Sequence, residues 1–276
     1  MTANAAKPAA ERGESPTAAA LFAQVARRQA QGFDDHLRGL QHGDDPEHPH
    51  RARVALRRLR SALRGFAPIL DAGAAHKLSR RARKLFRLLG PLREADVALA
   101  AFAGDHDRDH RRAHARKLRD RARDDLRRAD AAGFAGLIAA WLDDGRLLSD
   151  GHAARRLAAA DARLLAAQAL AAAWTAVLVY GPDLAALDDE TRHEFRKDIK
   201  TLRYLSEFFA DLWPGTATGF GTRLEALQGA LGDLNDITVH AAGAALDPSL
   251  QARFDSALAD AGQAWQGLRA CGPWWH

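Results

Sequence analysis

The stretches HRARVALRRLR (residues 50–60) and HEFRKDIKTLR (residues 193–203) align without a gap, and their reading decides the fold. Both follow the pattern His-x-x-Arg-x-x-x-(Arg/Lys)-x-x-Arg. A second pair of blocks lies downstream: LGPLREADV (89–97) after the first copy and LGDLNDITV (231–239) after the second. The two pairs are offset by 143 and 142 residues. Matched blocks at matched separations point to an internal duplication.

Between these blocks the chain reads as helix throughout. Ala and Leu dominate, and β-branched and aromatic residues are few, which favours helix over sheet. Strand alternation is absent. The periodicity predicts helices over 17–41, 50–66, 74–89, 92–103, 106–130, 134–143, 151–180, 188–212, 217–231, 234–245 and 248–269. His42 to Pro49 reads as a loop, and Gly90-Pro91 as a helix exit. Residues 1–16 read as a flexible tail. The run from Leu164 to Tyr180 reads as a buried helix. No uncharged apolar stretch reaches the roughly 18 residues of a membrane span, so none is expected. The start of the chain lacks a basic segment followed by an apolar run and does not read as a signal peptide. The single cysteine, Cys271, excludes a disulfide framework within the chain.

Net charge is only +5, but its distribution is uneven. Residues 51–87 hold twelve Lys/Arg and one acid, a net of +11, while residues 204–276 hold three Lys/Arg and eight Asp/Glu, a net of −5. On a helical wheel, His50, Arg53, Arg57, Arg60 and Arg64 share an arc of roughly 80°. Leu56, Leu59, Leu63 and Phe66 occupy a separate apolar arc. In the second copy His193, Arg196, Lys200 and Arg203 form the stripe, and Phe195, Ile199, Leu202 and Phe209 the packed face. Like charges at three- and four-residue spacings repel by a few tenths of a kcal/mol per pair. A surface needing only solubility would alternate its signs. The stripes therefore suit a ligand with repeated negative charge: Arg offers a planar fork for phosphate oxygens and Lys a point charge. Lys77, Arg80, Lys84 and Arg87 repeat the spacing on the following helix. The matching helix of the second copy has only Arg223, so the first half is expected to carry more of the site. His110, His114, Lys117 and Arg121 form a weaker stripe among many Asp residues and read as a mixed, solvated face.

These motifs resemble the CHAD family, the conserved-histidine α-helical domains. The resemblance rests on His50-x-x-Arg53-Val-x-x-Arg57-Arg-Leu-Arg60, on Leu-Gly-Pro-Leu-Arg-Glu-Ala-Asp-Val, and on His193-x-x-Arg196-x-x-x-Lys200-x-Leu-Arg203-Tyr204. It spans roughly Leu21 to Arg269. It implies an all-α fold of two pseudo-symmetric four-helix bundles with a basic central cavity or groove. An N-terminal repeat over 17–145 and a C-terminal repeat over 146–276 would together form one domain, about 17–270. The resemblance also implies non-catalytic binding of inorganic polyphosphate, and in some members association with polyphosphate granules in the cytoplasm. By position, His50, Arg53, Arg57, Arg60, His193, Arg196, Lys200 and Arg203 form the anion-binding set. Arg64 and the stripe Lys77, Arg80, Lys84 and Arg87 join it from the charge pattern. The triphosphate-tunnel domain to which members are often fused has no counterpart, since its alternating acidic and basic strands are missing.

Three other classes of function have their own signatures in sequence. No Gly-rich phosphate loop ending in Gly-Lys-Ser/Thr, no His-Glu-x-x-His and no nucleophile elbow is present, so catalysis is not expected. The motif histidines sit among arginines that would repel a cation, and no cofactor or metal is expected. A metal-binding or phosphatase-accessory domain is the more distant alternative. The stripes lack aromatics for base stacking and Asn or Gln for reading base edges. Sequence-specific nucleic-acid binding is therefore not expected, and non-specific binding is the nearer alternative.

Overall fold

The computed structural model describes residues 15–101, 108–215, 218–241 and 247–275. Residues 1–14, most of the expected tail, lie outside them. Eleven α-helices account for most of the described residues, which form no strand beyond two isolated bridges. The helices are α1 (Ala18–His42), α2 (Glu47–Gly65), α3 (Ala72–Leu88), α4 (Gly90–Ala101), α5 (Arg108–Arg128), α6 (Gly133–Asp143), α7 (His152–Ala159), α8 (Ala162–Leu178), α9 (Asp189–Phe209), α10 (Thr218–Ala241) and α11 (Pro248–Cys271). None is long and apolar enough to cross a membrane.

The chain forms two compact units, residues 1–162 and 163–276. In the first unit α1, α2, α3 and α5 are the long helices. The short α4, α6 and α7 fill in around them. The core is chiefly Leu and Ala with Phe22, Phe33, Phe66 and Phe134. The unit runs past residue 145 because its last segments are sewn to its first ones. Ser149 N–H donates to the Ile69 carbonyl at 3.0 Å, Ala18 N–H to Ala160 at 3.0 Å, and Ala162 N–H to Pro16 at 2.9 Å.

The second unit is made of α8, α9, α10 and α11 around an aromatic core. Trp265 is fully buried, with Phe195 at 5.1 Å and Trp174 at 5.9 Å between ring centroids. Its indole N–H donates to the Gly181 carbonyl at 2.8 Å. Gly181 takes a positive φ of 77° after α8, which only glycine adopts without strain. Tyr180 donates to Asp198 at 2.8 Å, fastening the end of α8 to α9. Burial and that carboxylate push the Tyr180 hydroxyl up to about 12.

Four sequence expectations change. The helix expected from His50 begins at Glu47, because Pro49 falls in the first turn, where a missing N–H costs no hydrogen bond. The helix expected over 151–180 is two helices. Ala160 is extended and Asp161 bridges to Thr17, which interrupts the ladder. The helices expected over 217–231 and 234–245 are one, α10, which runs through Gly232. Finally, the 164–180 run is buried on one face only: Leu165, Leu170, Trp174 and Val177 pack inward, while Leu164 and Val179 are exposed.

Candidate functional site

In the first unit the motif helix α2 packs against α3. Thr17 and Asp71 cap α1 and α3 by accepting from Ala20 and Ala74 N–H groups. Leu56, Leu59 and Leu63 are buried, as the wheel requires, so the cationic stripe flanks the packed face. Arg53 is drawn into the fold. Its guanidinium donates to the Phe86 carbonyl at 2.9 Å and lies 3.8 Å from the Phe86 ring centroid. Burial, helped by the neighbouring Arg57 charge, brings its pKa down to about 10. Arg57 also lies over the Phe86 ring, 5.4 Å from its centroid. Phe86 thus props two of the stripe's cations.

Arg60 is the next cation along. Burial depresses its pKa, and Arg64, Arg83 and Arg57 add repulsion. Its buried Nε has no hydrogen-bond partner among the described residues. Neither Arg57 nor Arg60 forms an ion pair among them, though the chain is rich in carboxylates. His50 heads the stripe. Burial lowers its pKa, with Arg93 the next contributor and Glu47 opposing.

The second stripe, on α3, is exposed at Lys77, Arg80, Lys84 and Arg87. Leu78, Ala82 and Leu85 form its packed face. Arg81, one position past Arg80, turns away to Asp130, which it holds at 2.9 Å. Arg83 and Phe86 face α2. The structure therefore brings together His50, Arg53, Arg57 and Arg60 with Arg83 and Arg93. Lys77 and Lys84 lie farther round α3.

In the second unit α9 packs on α10. His193 and Arg196 line a small cavity of about 160 Å³ with Asp189, Arg192, Leu231, Leu234, Asn235 and Thr238. Leu231 and Leu234 stand in the Leu-Gly-x-Leu block, so motif helix and block meet here as α2 meets the Leu89–Leu92 turn. The charges differ. Arg203 is held by Glu207 at 2.8 Å, Gln228 at 3.0 Å and Glu225 at 3.3 Å. Phe195 and Asp198, which depart from the first copy's pattern, serve packing: Phe195 joins Trp265, and Asp198 accepts from Tyr180. Among the described residues no group of three or more His, Cys, Asp or Glu is arranged to hold a metal ion.

The CHAD domain profile matches residues 6–269. The chain belongs to the CHAD domain family. Two solved structures share the fold. The CHAD domain from the plant Ricinus communis superposes with a TM-score of 0.69 at 22% identity, covering 93% of this chain and 92% of its own. PptA from Streptomyces chartreusis gives a TM-score of 0.53 at 18% identity, covering 93% and 99%. No curated protein matches the sequence.

Two cations outside the stripes join this CHAD domain's basic surface. Arg83 lies near the α3 stripe in sequence but out of its register, and its place beside Arg60 depends on how α3 is rotated against α2. Arg93 belongs to the Leu-Gly-Pro-Leu-Arg block, and its approach to His50 needs the sharp α3–α4 turn. The signal available in sequence was Pro91. A proline there forces a break, which swings Arg93 back toward α2.

Proposed function

We propose that this protein binds inorganic polyphosphate without catalysis, through a site centred on α2 in the first unit. One observation carries the reading: Arg57, propped by Phe86, and Arg60, crowded by Arg83, stand one turn apart on α2 and make no ion pair among the described residues. Holding like charges together is unfavourable in the absence of a ligand. A chain of phosphates relieves it, because successive units meet successive guanidinium groups. Membership of the CHAD family, whose resemblance implies polyphosphate binding, supports the same ligand. His50, Arg64, Arg83, Arg93 and the α3 residues Arg80 and Arg87 extend the surface, and Lys77 and Lys84 add to its field. The second unit carries a stripe of its own in His193, Arg196 and Lys200, with Arg203 its weakest member.

Such binding falls steeply with salt, through counterion release, and tightens with chain length, because neighbouring contacts become intramolecular. A cytoplasmic protein of this kind would collect on polyphosphate granules where a cell forms them. The test is a titration of long-chain polyphosphate across salt concentrations, with duplex DNA as competitor. Polyphosphate is expected to displace DNA, and DNA to fail against polyphosphate. The reverse ranking would overturn the reading in favour of non-specific nucleic-acid binding. Localisation of a fluorescent fusion in cells with and without polyphosphate tests the granule role.

A further inference from the structure

A second basic cleft lies between α4 and the start of α5, beside the N-terminal end of α2, where Asp44 and Pro46 line it. The cleft has a volume of about 380 Å³, within the range of small-ligand pockets. Its cations come from one face of α5: Arg108, Arg112 and Arg116, one per turn and about 6 Å apart along the axis. All three are exposed. Arg116 and Arg108 make no ion pair among the described residues, and Arg112 has only a long one, 3.9 Å to Asp109.

The inner wall is Arg119. It is 5% exposed and bonded to Asp96 at 3.0 Å, itself 6% exposed. Burial holds the Asp96 carboxyl above its ordinary range, with Arg119 drawing it back. The pairing is incomplete: Arg119 Nη1 and Asp96 Oδ2 are buried without hydrogen-bond partners. An unsatisfied guanidinium N–H in a buried wall is costly. Asp44, the other lining carboxylate, is held by Arg123 at 3.0 Å and approaches Arg119 at 3.8 Å. Among the described lining residues the remaining cations outnumber the remaining acids. Farther along, α5 is neutralised by its own Asp residues, as in Arg127–Asp124 at 3.0 Å and Arg128–Asp125 at 2.7 Å. Among the described residues of α5, the arginines without a close ion pair, Arg108, Arg112 and Arg116, are therefore concentrated where the cleft is. The His110, His114, Lys117 and Arg121 stripe stands exposed elsewhere on the helix.

We infer that this cleft is a separate site for a compact triphosphate-like group, held by Arg108, Arg112 and Arg116 with Arg119 behind them. Its residues are distinct from those of the polyphosphate surface. The group has two sources: a free or chain-terminal inorganic oligophosphate, or a nucleoside triphosphate whose base rests on Leu99, Ala100 and Pro46.

The experiment is calorimetric titration of the full chain with tripolyphosphate, ATP and long-chain polyphosphate, repeated on Arg112→Glu with Arg116→Glu. Both side chains are exposed, and circular dichroism checks the helix content. Tripolyphosphate is expected to bind the parent and to lose at least tenfold in the variant. Long-chain polyphosphate is expected to lose much less. ATP matching tripolyphosphate in both proteins would support the nucleotide source, and ATP much weaker than tripolyphosphate the inorganic one. Absence of tripolyphosphate binding to the parent, or equal affinity in parent and variant, overturns the site. Failure of long-chain polyphosphate alone would instead sink the proposed function and leave this cleft standing.

Discussion

Arg60 in α2 and Arg203 in α9 occupy the same place in their two motifs. Arg60 makes no ion pair among the described residues, whereas Arg203 is held by Glu207, Glu225 and Gln228. The same residue type in the same register thus presents an open charge in one unit and a neutralised one in the other. The cores differ likewise: aliphatic with a few phenylalanines in the first unit, an interlocked set of Trp, Phe and Tyr in the second. The lesson is that a repeated motif fixes a position, and the neighbours fix what the charge there does. The first unit keeps Arg57 and Arg60 out of ion pairs among the described residues, and the second has turned part of its motif to holding itself together.

The largest expected break in this comparison is Arg57→Glu with Arg60→Glu. At about 1.5–3 kcal/mol for each charge-assisted contact, polyphosphate affinity should fall roughly 10²–10⁴-fold. The matched change, Lys200→Glu with Arg203→Glu, should lose less than about tenfold. Equal losses in a binding titration would show that the units share the ligand evenly.

Next comes Trp265→Ala. Emptying that site removes the hub of the aromatic core, at about 3–5 kcal/mol. Chemical denaturation followed by near-ultraviolet dichroism should show the second unit melting early, with polyphosphate affinity little changed.

The Leu-Gly-x-Leu blocks give a third contrast. Asp233→Pro should cost about 3 kcal/mol by breaking the continuous α10, whereas Pro91→Ala at the existing break should cost less than about 1 kcal/mol. Thermal melts distinguish them.

The smallest effect concerns His50. Burial keeps its pKa below the usual value, so it is neutral at pH 7 in the free protein. A bound polyanion raises that pKa. Affinity then gains a contribution that is fully present below the free-state pKa and lost as pH rises through the bound-state pKa. Between pH 8 and pH 5.5 polyphosphate should bind tighter by less than about tenfold, and His50→Gln should flatten the gain. A flat profile in the parent would remove His50 from the site.

Much of this was legible in the chain itself. The helical periodicity, the packed arcs of Leu56, Leu59 and Leu63 and of Phe195, Ile199 and Leu202, and the cationic stripes beside them follow from a 100° step per residue. Helix ends were harder. A helix end is expected at Gly90-Pro91 and another between 231 and 234, yet only the first ends a helix. Proline removes a donor and clashes with the preceding turn. A glycine followed by aspartate only weakens a helix that packing against α9 and α11 sustains.

The sequence by itself determined the helices, their apolar faces and the family, because these depend on spacing within one segment. Only the tertiary structure decided which charges stay open. Arg53 went to Phe86, Arg81 to Asp130 and Arg203 to Glu225, all partners more than twenty residues away. Arg83 and Arg93 were brought to the α2 stripe by the rotation of α3 and the turn at Pro91. The fate of a charge is set by what packs beside it, and no periodicity within a helix encodes that.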